Sequence, residues 1–149
     1  MYRIRNARPA DAPAIADFLV RLGRETEGLR LDRPTVLRGA RAIFRDPARG
    51  AYLVAEERGR LLACLLTTPE WSDWRNGTVV WIGSVYVVPE ARRRGVFRAM
   101  YARLKGRVAR SRRLRGLRLY VDKTNRRAHN VYESLGLSRE HYHMYEWLK

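Results

Sequence analysis

Chemistry is written most clearly in Val85-Tyr86-Val87-Val88-Pro89-Glu90-Ala91-Arg92-Arg93-Arg94-Gly95-Val96-Phe97-Arg98. An apolar strand ends at a proline, a run of arginines and a glycine follow, and a helical pattern begins at once. The first backbone N–H groups of a helix lack intrahelical partners, and the helix dipole adds partial positive charge beside them. A strand, a glycine-bearing turn and a helix start therefore predict a cradle for phosphate. The amides of Arg93, Arg94, Gly95, Val96, Phe97 and Arg98 would converge on it. Gly95, having no Cβ, would let the backbone come close. The plainer alternative is a solvated arginine run before an ordinary amphipathic helix.

A second stretch bears on that choice: Asn125-Arg126-Arg127-Ala128-His129-Asn130-Val131-Tyr132-Glu133-Ser134-Leu135-Gly136-Leu137. Asn125 predicts a helix N-cap, and Ala128, Val131, Tyr132 and Leu135 predict one apolar face. The two stretches together resemble the GNAT superfamily of N-acetyltransferases. Arg92-x-x-Gly95-x-Phe97 is similar to that family's pyrophosphate loop, Gln/Arg-x-x-Gly-x-Gly/Ala. The second stretch is similar to its Asn-x-x-Ala-x-x-x-Tyr-x-x-x-Gly-Phe pattern, and Ile4-Arg5-x-Ala7-x-x-x-Asp11 to its first strand and helix. The resemblance covers essentially the whole chain. Phe97 departs from it, since the family prefers a small residue there. It falls on the apolar stripe of its helix and is expected to pack inward.

The resemblance implies an α/β fold with a mixed sheet, antiparallel in its N-terminal half and parallel β-α-β in its C-terminal half, splayed at the central strands. It implies acetyl-CoA as cosubstrate and direct transfer to a primary amine, small-molecule or peptide, in a ternary complex. Main-chain groups around Val85, Tyr86 and Val87 would pair with the pantetheine arm as a missing strand would. One of their N–H groups would face the thioester carbonyl. Arg92, Arg93, Arg94, Gly95, Val96, Phe97 and Arg98 would hold the pyrophosphate, and Asn125 would touch the cofactor as well as cap its helix. Tyr132 would be the general acid for the leaving thiolate; the alternative is a core tyrosine satisfied locally. Gly83, inside the strand, suggests a bulge or a close backbone approach.

No residue marks a general base clearly. Glu25, Glu27, Glu70 and Asp73 lie in segments that flank the acceptor side in the family, and Ser84 on the splayed strand could hold a water. Glu70, Trp71 and Trp74 read either as a cage for a cationic acceptor or as an aromatic lid over the core. His141 and His143 would share one face of a last strand, but no third ligand at suitable spacing accompanies them, so no metal is expected. Cys64 sits among apolar residues and reads as core, which disfavours an acyl-cysteine route.

The elements that must position these residues follow from periodicity. Tyr2–Ala7 predicts a strand. Asp11 predicts the cap of a helix to about Gly23, with a polar connection over Glu25–Arg33. Pro34–Phe44 predicts a second helix stopped by Asp46-Pro47. Ala51–Glu57 and Leu61–Thr68 predict strands joined at Arg58-Gly59, and Glu70–Gly77 an aromatic loop. Thr78–Val88, almost wholly apolar, predicts a central strand buried on both faces. Leu117, Leu119 and Val121 alternate as another strand, and Arg139–Trp147 predicts the last. The expected order is β-α-α-β-β-β-α-β-α-β.

At 149 residues one domain over 1–149 is expected, with 46% apolar residues to build its core. No apolar run approaches a membrane span, and the first residues lack the apolar stretch of a signal peptide. A lone cysteine, Cys64, excludes an internal disulfide and fits a reducing, cytoplasmic setting. A homodimer is compatible with all of this. The net charge of +16 reads as attraction to an anionic partner or as arginine-favouring codon bias. Two rivals follow. One is a basic nucleic-acid-binding protein, opposed by the absence of any nucleic-acid motif. The other is a non-catalytic acyl-CoA-binding module on the same fold.

Overall fold

The computed structural model describes residues 1–149. In chain order the elements are β1 (Arg3–Asn6), α1 (Ala12–Glu27), α2 (Arg33–Arg45), β2 (Ala51–Glu57), β3 (Arg60–Ser72), β4 (Gly77–Val87), α3 (Val96–Arg110), β5 (Leu114–Leu119) and α4 (Arg126–Ser134). The strands form one five-stranded sheet in the order β1-β2-β3-β4-β5. Only β4 and β5 run parallel, joined through α3; the other neighbours are antiparallel. The mixed α/β sheet is the expected one. Ile15 and Phe18 of α1, with Val96, Met100, Tyr101 and Leu104 of α3, join the buried strand residues in one apolar cluster.

Several boundaries differ from the expectation for identifiable reasons. The first helix does not stop at Gly23. A Cβ on Gly23 would meet Leu31 Cδ1 at 2.9 Å, so this glycine serves close packing. The helix ends at Gly28, whose φ of 65° is the left-handed turn a terminal glycine supplies. Glu25 and Glu27 therefore stand on the last turn of α1, not in a loop. Asp11 precedes α1 but its side chain caps none of that helix's amides. It accepts instead from the Arg8 amide and from Arg5 Nη1, both at 2.7 Å. Arg5 also pairs with Glu56, so this carboxylate fastens β1 to the helix start, and the Arg5 guanidinium holds its pKa down.

β3 runs on to Ser72, which moves Glu70 and Trp71 from the expected loop onto the strand. Its antiparallel register with β4, through Glu70↔Val79 and Ser72↔Gly77, carries the hairpin that far. The middle strand is β3, not β4. β4 is buried at Val79, Ile82 and Tyr86 but half-covered between them, so it is not enclosed on both faces. The parallel strand comes earlier than expected, and Val121 lies outside it. The predicted strand over Arg139–Trp147 is absent: those residues pair with nothing in the sheet.

Candidate functional site

The site begins where β4 and β5 part. Their ladder ends at Ile82↔Leu119, but β4 continues to Val87 against β3 alone. Between Cys64↔Tyr86 and Leu66↔Gly83 the register slips, and Ser84 takes a φ of 51°. The bulge expected near Gly83 therefore turns on Ser84. A Cβ on Gly83 would meet nothing within 4 Å, so that residue faces open space. The Val88 amide donates to the Leu62 carbonyl at 2.9 Å. Alternation along the strand then turns the main-chain groups of Val87 and Val85 toward the gap.

The turn after β4 is where the sequence places the expected cradle. Arg93 and Gly95 adopt φ values of 64° and 73°. A left-handed residue among right-handed ones curls successive N–H groups into a concave nest for anions. The amides of Arg93, Arg94, Gly95, Val96, Phe97 and Arg98 find no acceptor within the chain; the first bond of α3 is Ala99 to Gly95. A Cβ on Gly95 would stand in open space, in a backbone conformation that β-branched residues rarely adopt. These free donors beside an unpaired strand edge fit a pyrophosphate followed by an amide-bearing arm.

A cleft of about 910 Å³ runs from this cradle past the parted strands to the end of α1. Val85, Tyr86, Val87, Arg92, Arg93, Gly95, Val96, Phe97, Arg98, Asn125 and Tyr132 line it, as do Glu25, Glu27 and Ser84. Arg94 does not: its guanidinium turns to Glu57 at 2.8 Å. Asp73 does not either: it sits at the tip of the β3–β4 hairpin and accepts from the Trp74 amide at 2.9 Å. Trp71 and Trp74 are 65% and 85% exposed, so they neither cap the core nor enclose the cleft. Glu70 spends its carboxylate on Trp81 Nε1 and on Arg118 Nη1, the latter at 3.1 Å.

On the α4 side, Asn125 caps its helix by accepting the Ala128 amide at 3.1 Å. Tyr132 is half-buried, and burial pushes its phenol above the ordinary value of 10. Its ring meets the Phe97 ring edge-on at 5.5 Å, and Phe97 stacks on Tyr101 at 6.3 Å. The bulky residue at position 97 thus builds the seam between α3 and α4. Cys64 is fully buried, and burial raises its thiol to about 12.

Sequence reasoning missed the network at the other wall. Glu25 Oε1 accepts from the buried Tyr86 hydroxyl at 2.9 Å, and Glu25 Oε2 accepts from Arg92 Nη2. Arg92 Nε donates to the Val87 carbonyl at 2.9 Å, and its guanidinium lies 5.7 Å from the centre of the Tyr86 ring. The network joins α1, β4 and the cradle. Its members are far apart in sequence, so no spacing signals it. Leu19, Leu22, Thr26 and Leu31 were also missed; they make the α1 wall mostly apolar. The cleft is polarised. The start of α3 with Arg93, Arg98 and Arg127 is positive, and the end of α1 with Glu25 and Glu27 is negative.

The profile of the Acetyltransferase (GNAT) family matches residues 15–137. No curated protein matches the sequence. Among solved structures, a possible acetyltransferase from Clostridium difficile 630 is 40% identical, with a TM-score of 0.93 over 100% of this chain and 98% of its own. A ribosomal-protein-alanine N-acetyltransferase from Brucella melitensis biovar Abortus 2308 is 15% identical, with a TM-score of 0.81 over 100% of both chains. A predicted acetyltransferase from Clostridium acetobutylicum, solved with acetyl-CoA, is 20% identical, with a TM-score of 0.76 over 100% of this chain and 95% of its own. At these identities the last two show the fold alone.

Proposed function

The chain belongs to the GNAT family of acetyltransferases, and on that footing we propose that it moves an acetyl group from acetyl-CoA to a primary amine by direct attack in a ternary complex. The single observation that carries this is the row of unpartnered amides from Arg93 to Arg98 beside the parted β4 edge. Acetyl-CoA supplies an activated acyl carbon when it is bound. The amides hold the pyrophosphate, with Arg93, Arg98 and Arg127 adding charge around it. Val85 and Val87 pair with the pantetheine amides and align the arm along the gap. A β4 N–H beside the bulge would meet the oxygen that gains charge as the amine adds.

Two protons must move. Tyr132 Oη holds the one that a departing thiolate needs, and burial keeps the phenol protonated across the neutral range. The acceptor arrives as an ammonium and must lose a proton first. Glu27 is the free carboxylate of the negative wall, whereas both oxygens of Glu25 are engaged. Glu27 therefore takes the proton, directly or through water held near Ser84, and Glu25 positions Arg92 and Tyr86. The acceptor is an amine carried on an apolar body, because Leu19, Leu22 and Leu31 surround the carboxylates.

No helix is long and apolar enough to cross a membrane. The test is free-thiol release from acetyl-CoA over a panel of aliphatic, aromatic and peptide amines. Amine-dependent thiol release is expected. Tight acetyl-CoA binding with no release on any amine would replace the enzyme with an acyl-CoA-binding module.

A further inference from the structure

Trp71 and Trp74 have no part in the cleft and none in the core. They are 65% and 85% exposed, and neither packs on another aromatic ring. Both belong to the β3–β4 hairpin: Trp71 pairs with Thr78 near the end of β3, and Trp74 lies in the turn. Two bare indoles on one hairpin make an exposed patch that folding alone does not account for.

A second segment is fastened to that hairpin tip. The Thr78 amide donates to the Arg113 carbonyl at 2.9 Å. Arg115 turns toward β4, its Nε donating to the Arg75 carbonyl and its Nη1 to the Arg112 carbonyl, both at 2.9 Å. One guanidinium thus clips the tip to the turn between α3 and β5, and Arg75, Arg112 and Arg113 share a corner with the indoles. All three are exposed, and none has a carboxylate partner. By contrast, Arg92 and Arg94 near the cradle are paired with Glu25 and Glu57.

Arginine is abundant throughout this chain, so charge alone marks no site. What sets this corner apart is unpaired guanidinium groups beside bare indoles. A guanidinium takes two phosphate oxygens at once, and an indole face stacks on a base of any identity. A duplex hides its base faces, so the rings select unpaired strands. An anionic bilayer also attracts Trp and Arg, but Asp73 lies between the two tryptophans, and insertion would carry its carboxylate among the lipid phosphates. Toward a nucleic acid the same carboxylate is an acceptor for the amino edge of a base.

We propose that the corner formed by Trp71, Trp74, Arg75, Arg112 and Arg113 binds single-stranded nucleic acid. β4 runs from this corner at Gly77 to the cradle side at Val87, about 30 Å at the rise of a strand. The bound strand therefore leaves the acetyl-CoA cleft free. No contiguous motif announces the corner, because Arg75 and Arg115, which join its halves, stand 40 positions apart.

Fluorescence anisotropy of short labelled oligonucleotides with the full chain, at saturating acetyl-CoA, tests this. Single strands should bind more tightly than duplex, and the tighter of RNA and DNA names the source. Trp74→Ala should weaken binding by about 5- to 150-fold, the range for one lost stacking contact, and Trp74→Phe should restore most of it. Three phosphate contacts imply a fall in affinity of about 20-fold between 50 and 200 mM salt. Arg112→Ser with Arg113→Ser should weaken binding, whereas Arg24→Ser with Arg30→Ser, exposed at the far end of α1, should leave it nearly unchanged. Amine-dependent thiol release should be the same in Trp74→Ala as in the parent. Absence of binding at 50 mM salt overturns the proposal, as do displacement of the strand by acetyl-CoA, equal losses in the two arginine pairs, or affinity untouched by Trp74→Ala. Capture by phosphatidylserine vesicles without oligonucleotide binding also overturns it and assigns the corner to a membrane surface.

Discussion

At the start of α3 the cleft presents main chain: unpartnered amides from Arg93 to Arg98, curled by the left-handed residues Arg93 and Gly95. At the end of α1 it presents side chains: Glu25, tied to Tyr86 and Arg92, the free Glu27, and a leucine wall. A main-chain site is specified by a short run of neighbours, because φ and ψ over a few residues place every donor. A side-chain site is assembled from elements that meet only in the folded sheet. The donor end should therefore tolerate side-chain loss and be intolerant of backbone change, and the acceptor end should behave the other way.

The largest effect is expected where the two ends meet. Tyr132→Phe should lower turnover by roughly 10²–10⁴-fold, with acetyl-CoA affinity kept. Stopped-flow turnover beside equilibrium binding separates this from a structural role, in which both would fall together.

Gly95→Val should come next, because a β-branched residue strains the left-handed turn and places a side chain in the cradle. Acetyl-CoA at 100-fold over its Kd should stabilise the parent by about 2.7 kcal/mol, read as a rise in Tm. That rise should vanish in Gly95→Val and survive, reduced, in Arg93→Ala. Equal losses in the two variants would break the contrast between main-chain and side-chain recognition.

At the acceptor wall, Glu25→Gln and Glu27→Gln should part company. Loss of Glu25 frees Arg92 from one side, so KM for both substrates should rise by about 10-fold, the scale of a lost charge-assisted hydrogen bond. Glu27→Gln should lower kcat/KM for the amine alone, with acetyl-CoA affinity unchanged. Asp73→Asn should change neither parameter, since Asp73 stands outside the cleft.

The smallest effect concerns acid. Arg94 and the N-terminal ammonium hold the Glu57 carboxyl down at about 2, from an ordinary 4.5. A lowered folded value means that the contribution is complete above 4.5 and fades as the pH falls from there toward 2. The fall in Tm over that window should be shallower in Glu57→Gln, with the cradle amides unaffected.

The cradle was legible because its signal is local: Arg92, Gly95 and the helix start lie within a few residues. The same holds for Asn125 as a cap and for β2, whose bounds periodicity found. Gly23 misled because glycine inside a helix and glycine beyond its end look alike until Leu31 is seen packed against it. Ser84 escaped notice as the bulge residue because Gly83 beside it is the residue expected to adopt a positive φ.

Taken alone, the sequence determined most of the elements, the glycine-bearing turn before α3 and the family, since each signal is carried by short runs of neighbouring residues. Only the tertiary structure decided that Glu25 reaches Tyr86 across 61 positions, that Arg94 faces away from the cleft, and that Asp73 and both tryptophans stand apart from it. It also left the strand-like final segment unpaired. Strand propensity states that a segment can join a sheet, but the edge it joins is set by where the chain emerges from α4 and by which edges remain open.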